Sequence, residues 1–293
     1  MSQKKYCYFQ GSVVEESKAS LALGGLGTLR GFGVFDFFRM RNGKFCFLQD
    51  HLDRFEKSQK FMGLSEMISQ DEIRDALDTL KDWNKLPNSG FKLVLLGDGS
   101  ESDAKLSPLF YILNNDLSSH KAPGYASVIL HKYLREYPLI KSTNYFTSNL
   151  LHRKRIMAGA VDVLYHSNDV VTEASRSNVF IVKEGQLITP SKNILAGITR
   201  KHLLELAPDI LPTVEADIQV DDLLTADEVF ISSTLKEVCP IVEVDGKSIG
   251  SGKVGPVSRR LTTLFQEKLR DLAWLAEVFK EGRVLGVDES VPS

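Results

Sequence analysis

Glu173-Ala-Ser-Arg-Ser-Asn-Val-Phe180, followed a little further on by Gly197-Ile-Thr-Arg200, is the stretch on which the fold turns. It gathers an acid, several hydroxyls and a helix start whose first amide donors have no partner within the helix. A phosphorylated ring that also carries a nitrogen needs that set of groups. Upstream, Lys141 stands isolated in Ile140-Lys-Ser-Thr-Asn144. Leu139 and Ile140 precede it, so an apolar approach is expected to desolvate the amine and lower its pKa. Ser142, Thr143 and Asn144 are small and polar and leave room beside it.

Composition narrows the field. At 293 residues the chain has length for two domains or one large one, with ample apolar residue for cores. Lys+Arg 36 against Asp+Glu 38 gives no basic surplus for nucleic acid or an anionic membrane surface. Cys7, Cys46 and Cys239 are odd in number and scattered, without metal-ligand spacing, and suit a reducing compartment. No apolar run fits a signal peptide or a transmembrane helix. A soluble cytoplasmic protein without a metal site is expected.

Along the chain, Tyr6 to Val14 alternates and predicts an opening strand. Val34–Met40 and Lys44–Leu48 flank Arg41-Asn-Gly43, an Asn-Gly hairpin turn. Asp50 is the expected N-cap of a helix through His51, Arg54 and Phe61, with a second helix near Asp71 to Asp82. Strands at Phe91–Leu96 and Leu109–Asn114 complete an N-terminal α+β unit over 1–117. Ser118-Ser-His-Lys-Ala-Pro-Gly124 is the expected linker. A C-terminal unit over 125–286 follows, with a tail at 287–293. Its expected elements are a strand at Ala126–His131, a helix from Tyr145 to Ala158 ending at Gly159, and strands at Val161–Tyr165, Asn178–Val182 and Gln186–Thr189. A helix from Thr199 to Ala207, a strand at Glu228–Ser232 and a long helix from Val257 to about Lys280 close it.

Two glycine motifs carry no chemistry. Gly24-Gly-Leu-Gly27 with Gly31 and Gly33 does not match a dinucleotide loop and precedes a strand, so irregular backbone before an edge strand is expected. Gly246-Lys-Ser248 lacks the upstream glycine of a phosphate-binding loop and predicts a hairpin turn. The remaining signals converge. Glu173, just after the strand-like Val170-Val-Thr172, has a carboxylate suited to keep a pyridine nitrogen protonated. Gly197-Ile-Thr199 offers helix-start amides to an anion. Ser232-Ser-Thr234 adds hydroxyls and Arg54 a counter-charge. A Schiff-base lysine, an acid for a ring nitrogen and a phosphate cup together point to pyridoxal 5'-phosphate (PLP).

In their order along the chain, these segments resemble the class IV (fold type IV) PLP-dependent aminotransferases, which include branched-chain and D-amino-acid aminotransferases and aminodeoxychorismate lyases. The resemblance spans Arg30-Gly-Phe-Gly-Val-Phe-Asp36 to Gly252-Lys-Val-Gly-Pro256. It includes Asp50-His-Leu-Asp-Arg54, Ile194-Leu-Ala-Gly-Ile-Thr-Arg200, Ala226-Asp-Glu-Val-Phe230 and Ser233-Thr-Leu-Lys-Glu-Val238. It implies an α+β, two-domain, D-amino-acid aminotransferase-like fold with the cofactor in the interdomain cleft, and a homodimer. It implies amino-acid metabolism: transfer of an amino group between an amino acid or amine and a 2-keto acid through a Lys141 Schiff base. The alternatives are an aminodeoxychorismate-type lyase releasing pyruvate, or a PLP-binding relative with impaired turnover. By position, Lys141 and Glu173 are the catalytic pair. Arg54, the amides of Ile198 and Thr199, and Thr234 hold the phosphate, Tyr145 stands near the phenolic oxygen, and Ser177 and Asn178 join the cofactor contacts.

The chain departs from the family pattern at four places. Ala174 replaces a usual glycine, Arg176 a usual small residue and Asp36 a usual Glu. Over Phe91 to Asp103 neither the Arg and His of D-amino-acid members nor the Tyr-x-Arg of branched-chain members is present. Arg135 and Arg39 are the candidate replacements for holding a substrate carboxylate.

Overall fold

The computed structural model describes residues 4–64, 68–99 and 107–280. The expected tail at 287–293, the last residues of the expected C-terminal unit and positions 100–103 lie outside these.

Two sheets organise a mixed α+β fold. The stretch from Tyr6 to Val14 is a hairpin rather than one strand: β1 (Tyr6–Phe9) pairs antiparallel with β2 (Ser12–Glu15). Gln10 and Gly11 take left-handed backbone (φ 47° and 87°), which makes the two-residue turn. The glycine-rich stretch is not irregular throughout, because α1 (Leu26–Arg30) forms within it and ends at left-handed Gly31. β3 (Gly33–Arg41) follows, and it is not an edge strand. The edge belongs to β4 (Lys44–Phe45), across the Asn-Gly turn.

α2 (Leu48–Phe61) starts after Phe47 (φ 53°), so Asp50 is not its N-cap. Asp50 lies in the first turn, and its carboxylate instead receives Lys201 Nζ at 2.6 Å and pairs with His202 Nε2 at 2.8 Å. α3 (Gln70–Asn84) opens on a Ser69–Glu72 capping box. β5 (Ser89–Asp98) and β6 (Ser107–Asp116) complete the first sheet, in the order β2-β1-β6-β5-β3-β4. Phe38, Phe91 and Leu93 on one sheet face pack with Leu52 and Phe55 of α2 and Leu77 and Leu80 of α3.

The second sheet opens with β7 (Ala126–Lys132). The helix expected from Tyr145 to Ala158 is broken at Leu151 into α4 (Phe146–Leu150) and α5 (His152–Met157), and left-handed Gly159 follows. Next come β8 (Asp162–Ser167), β9 (Val170–Ala174), β10 (Asn178–Lys183) and β11 (Gln186–Thr189). Glu173 therefore sits within a strand rather than in a loop after one. α6 (Ile198–Leu206), β12 (Thr213–Glu215), β13 (Ile218–Gln219) and α7 (Val220–Leu224) lead to β14 (Glu228–Ser233). β15 (Glu237–Val244) turns at Asp245-Gly246 into β16 (Lys247–Ser248), the hairpin turn the sequence predicts, and α8 (Pro256–Lys280) closes the described chain. The order is β12-β11-β10-β14-β15-β7-β8-β9-β13, with β16 beside β15. α6 and α8 cover one face of this sheet, over the stacked rings of Phe180 and Phe230.

All three cysteines are buried and unpaired. Among the described residues no helix is long and apolar enough to cross a membrane.

The start of α8 is held by a side chain from β14. Glu228 accepts the Val257 and Ser258 amides at 2.9 and 2.8 Å and the Ser258 hydroxyl at 2.6 Å. Gly255 permits this approach, since a Cβ there would lie 2.0 Å from Glu228 Cδ. Glu228→Ala strands two helix-start donors and is expected to cost about 1–3 kcal/mol. Thermal denaturation should register this as roughly 2–4 °C per kcal/mol, with partial recovery in Glu228→Gln. An unchanged Tm would refute the cap.

Candidate active site

Lys141 lies in a segment pinned to β3. The Phe35 amide donates to its carbonyl at 2.9 Å, Ser142 bridges Val34, and Thr143 donates from its amide to Gly33 O at 2.9 Å and from its hydroxyl to Gly31 O at 2.6 Å. Ile140 is buried in the first core, whereas Leu139 is 74% exposed, so only one of the two expected apolar neighbours shields the lysine. The amine stands 4.7 Å from the centre of the Phe35 ring, which meets Tyr145 edge-on at 5.5 Å. The side chain is half-buried and lines the cleft. Burial, reinforced by the Arg54 charge and opposed by Asp36, pushes the amine down to about 7.

Glu173 projects from β9 nearby and is 5% exposed. The Leu195 amide donates to its Oε2 at 2.9 Å. Oε1 lies 2.8 Å from an Arg135 nitrogen, but the two are not aligned as a hydrogen bond. Burial pushes this carboxyl's pKa up and the Arg135 charge pulls against it. Beyond Glu173 the chain makes a tight turn, with the Ala174 amide donating to Ser177 O at 2.8 Å. The turn rests on a buried ion pair that sequence inspection does not reveal, Asp162–Lys236 at 3.0 Å. Ser175 and Ser177 donate their hydroxyls to Asp162 at 2.6 and 3.0 Å. Asn178 donates to Leu195 O at 2.8 Å and packs so closely on Gly197 that a Cβ there would fall 2.0 Å from its Oδ1.

Arg54 is a buried residue rather than a solvated helix arginine. Its Nε and one terminal nitrogen each donate to Asp36 at 2.8 Å, and the other terminal nitrogen donates to Ala196 O at 3.2 Å. Asp36 has no solvent exposure. Burial would raise its pKa, but Arg54 and His51 reverse this and hold it well below the carboxylate range. His51, 2.7 Å from the same carboxylate, is depressed by its own burial against the pull of Asp36. Ala196 leads into α6, whose first residue follows Gly197 with no side-chain cap. Ser232, 1% exposed, has a hydroxyl without a partner, and Thr234 lies next to it on the cleft wall.

Lys141, Glu173, Arg54, Tyr145, Ser177, Asn178, Ile198, Thr199 and Thr234, the nine residues nominated from sequence, all line one cleft. It encloses about 450 Å³ of empty volume, counting the part open to solvent. Arg135, Arg176, Leu195 and Ser232 join them. Arg39 does not: it is buried against Glu237 at 2.9 Å and faces a neighbouring recess with Arg41 and Cys46. Among the described residues no group of three acidic, His or Cys side chains is arranged to hold a metal.

The chain is similar to known proteins over most of its length. The profile of the family "Amino-transferase class IV" matches residues 33–244. A D-alanine aminotransferase of Staphylococcus aureus is 30% identical over 271 residues, covering 89% of this chain and 96% of its own. A putative branched-chain-amino-acid aminotransferase of Methanocaldococcus jannaschii is 31% identical over 299 residues, covering 94% and 99%. Among solved structures, the branched-chain amino acid aminotransferase of Escherichia coli superposes with a TM-score of 0.83 at 24% identity, covering 91% of this chain and 95% of its own. That of Thermobaculum terrenum in its PLP form gives 0.80 at 23%, covering 92% and 95%.

The depressed Lys141 pKa has a signature in stability. Between pH about 7 and 10.5 the unfolded chain binds a proton at this amine that the folded chain does not, so folding stability rises with pH across that window. In protein stripped of bound small molecules, urea unfolding should find Lys141→Met more stable than wild type at pH 7, with the gap narrowing toward pH 10. A gap independent of pH would mean that the amine is not desolvated.

Proposed function

The chain belongs to the amino-transferase class IV family and is an aminotransferase that uses pyridoxal 5'-phosphate; from that premise we propose that the cleft between the two sheets is its active site. The observation that carries this is the convergence of a desolvated amine, a buried acid and an uncapped helix start on one cleft. The residues present suit the cofactor: Glu173 Oε1 has no aligned donor, the Ser232 hydroxyl is buried without a partner, and the α6 start lacks a side-chain cap. When bound, the cofactor supplies an aldehyde that accepts amino groups and a ring that withdraws electrons.

Lys141, titrating near neutrality, would present an unprotonated amine to that aldehyde. The same amine would take the proton from the substrate's α-carbon and hold it for return. Glu173 Oε1 would accept a hydrogen bond from the ring nitrogen and keep it protonated, and the adjacent Arg135 charge favours the carboxylate form against the effect of burial. The third Arg54 nitrogen, the Ile198 and Thr199 amides at the positive end of α6, and the Ser232 and Thr234 hydroxyls hold the phosphate. Burial raises the Tyr145 pKa, so its hydroxyl stays a donor for the phenolic oxygen. Ser177 and Asn178 hold the turn and the loop that shape the cup.

The rest of the proposal is coarser. The sheets at either side of residues 117–125 have separate cores and would be two domains, close to the boundaries 1–117, 118–124 and 125–286. Leu23, Phe146, Leu150 and Met157, each more than two-thirds exposed, would be covered in a homodimer. Buried unpaired thiols fit the reducing cytoplasm. The substrates would be an amino donor and a 2-keto acid of amino-acid metabolism, and transfer is favoured over lyase chemistry by relatives named as aminotransferases.

Lys141→Ala should abolish the long-wavelength absorbance of the PLP-loaded protein and lower turnover by roughly 10²–10⁴-fold. Survival of band and turnover would move the chemistry to another amine. Arg54→Ala should weaken PLP retention in equilibrium dialysis, and unchanged retention would remove Arg54 from the phosphate cup. Release of pyruvate without a keto-acid acceptor would favour the lyase instead.

A further inference from the structure

Resting on that assignment, the substrate carboxylate has a candidate grip close to Lys141. Both arginines that sequence offers already face a carboxylate. Arg135 lies 2.8 Å from Glu173 and donates to the Pro138 carbonyl, and Arg39 donates to Glu237 in the neighbouring recess, outside the cleft. We propose that Lys92 of β5 and Arg176 of the turn after β9 together bind the carboxylate of the amino-acid and keto-acid substrates.

Alternation along β5 sends Phe91, Leu93 and Leu95 into the first core, so Lys92 and Val94 face the other way. On that face Lys92 stands across the register from Phe37, and Val94 across from Phe35 and Tyr111. The result is an apolar, aromatic surface carrying one amine. Its nitrogen lies 5.4 Å from the centre of the same Phe35 ring that the Lys141 amine approaches to 4.7 Å. The two nitrogens are therefore no further apart than the sum of those distances. At that upper bound, contacts of about 3 Å at each end would leave room for the one or two covalent bonds between a carboxylate and the α-carbon that Lys141 must reach.

Among the described residues no carboxylate pairs with Lys92 or Arg176. Burial, with the Arg176 charge next, depresses the Lys92 amine. Arg176 is exposed on the cleft wall that Lys141 also lines, and it replaces the small residue expected at this point of the motif. Two cations near Lys141, one on the cleft wall and one against the Phe35 ring, would gain by binding an anion between them. An apolar substrate side chain would lie along Phe35, Val94 and Tyr111.

The test uses the PLP-loaded protein as wild type, Lys92→Met, Arg176→Ala and Lys92→Arg. Steady-state kinetics with pyruvate and 2-oxoglutarate, and calorimetric titration with unreactive propionate and maleate, are the readouts. Lys92→Met and Arg176→Ala should each raise KM and the inhibitor Kd by about tenfold or more, with a much smaller change in kcat. Lys92→Arg should recover most of the loss. Weakening of mono- and dicarboxylates alike identifies the α-carboxylate as the group held. Weakening of 2-oxoglutarate and maleate alone would place the contact on a distal carboxylate and overturn the α-carboxylate assignment. Unchanged KM and Kd in proteins that keep their absorbance band and turnover would overturn the subsite while leaving the aminotransferase assignment in place. A wild-type protein that binds no PLP would remove both.

Discussion

A carboxylate with no access to water, Asp36, is the constraint around which the cleft is arranged. It survives burial because Arg54 clamps it with two donors and His51 adds a third contact. Taking away one partner of such a cluster leaves an uncompensated charge and costs about 3–5 kcal/mol. The geometry matters as much as the energy. Asp36 is on β3, Arg54 and His51 are on α2, and the remaining Arg54 nitrogen reaches Ala196 at the mouth of α6. One buried anion thus fixes a cation where the two sheets meet, beside the strand that also carries the Lys141 segment.

The cleft it helps to build gathers more basic than acidic side chains. Lys141, Arg54, Arg135 and Arg176 line it, and Glu173 is the acid set among them. Behind the wall lie the Asp162–Lys236 and Arg39–Glu237 pairs, which are compensated and hold backbone in place. This division suits a dianionic cofactor and carboxylate substrates, because ligand charge replaces hydration that the cations have lost. It also explains the amine near neutrality: neighbouring positive charge and burial act in the same direction on Lys141.

Much of this was legible in the sequence because it is local. The strand-turn-strand around Glu173, the glycine before α6 and the polar residues after Lys141 are short motifs whose spacing encodes their shape. The family, the mixed α+β class and the helices α2, α3, α6 and α8 followed from the same signals. Local cues misled where two structures share one pattern: alternation over Tyr6 to Val14 fits a strand or a hairpin until the left-handed Gln10 decides. Asp50 resembles an N-cap, but Lys201 and His202, far along the chain, claim its oxygens. The long-range ion pairs were invisible for the same reason. Glu237 is 198 residues from Arg39 and Lys236 is 74 from Asp162, separations at which no sequence spacing carries information.

The three cysteines have a practical corollary. Each thiol is buried, and burial raises its pKa, at Cys239 to about 11, so reagents meet neither an accessible sulfur nor a thiolate. The native chain is a silent background for maleimide chemistry. A single surface thiol introduced on each sheet would carry a fluorophore pair with no competing site, and the distance between the dyes would report whether the cleft narrows when an amino donor arrives.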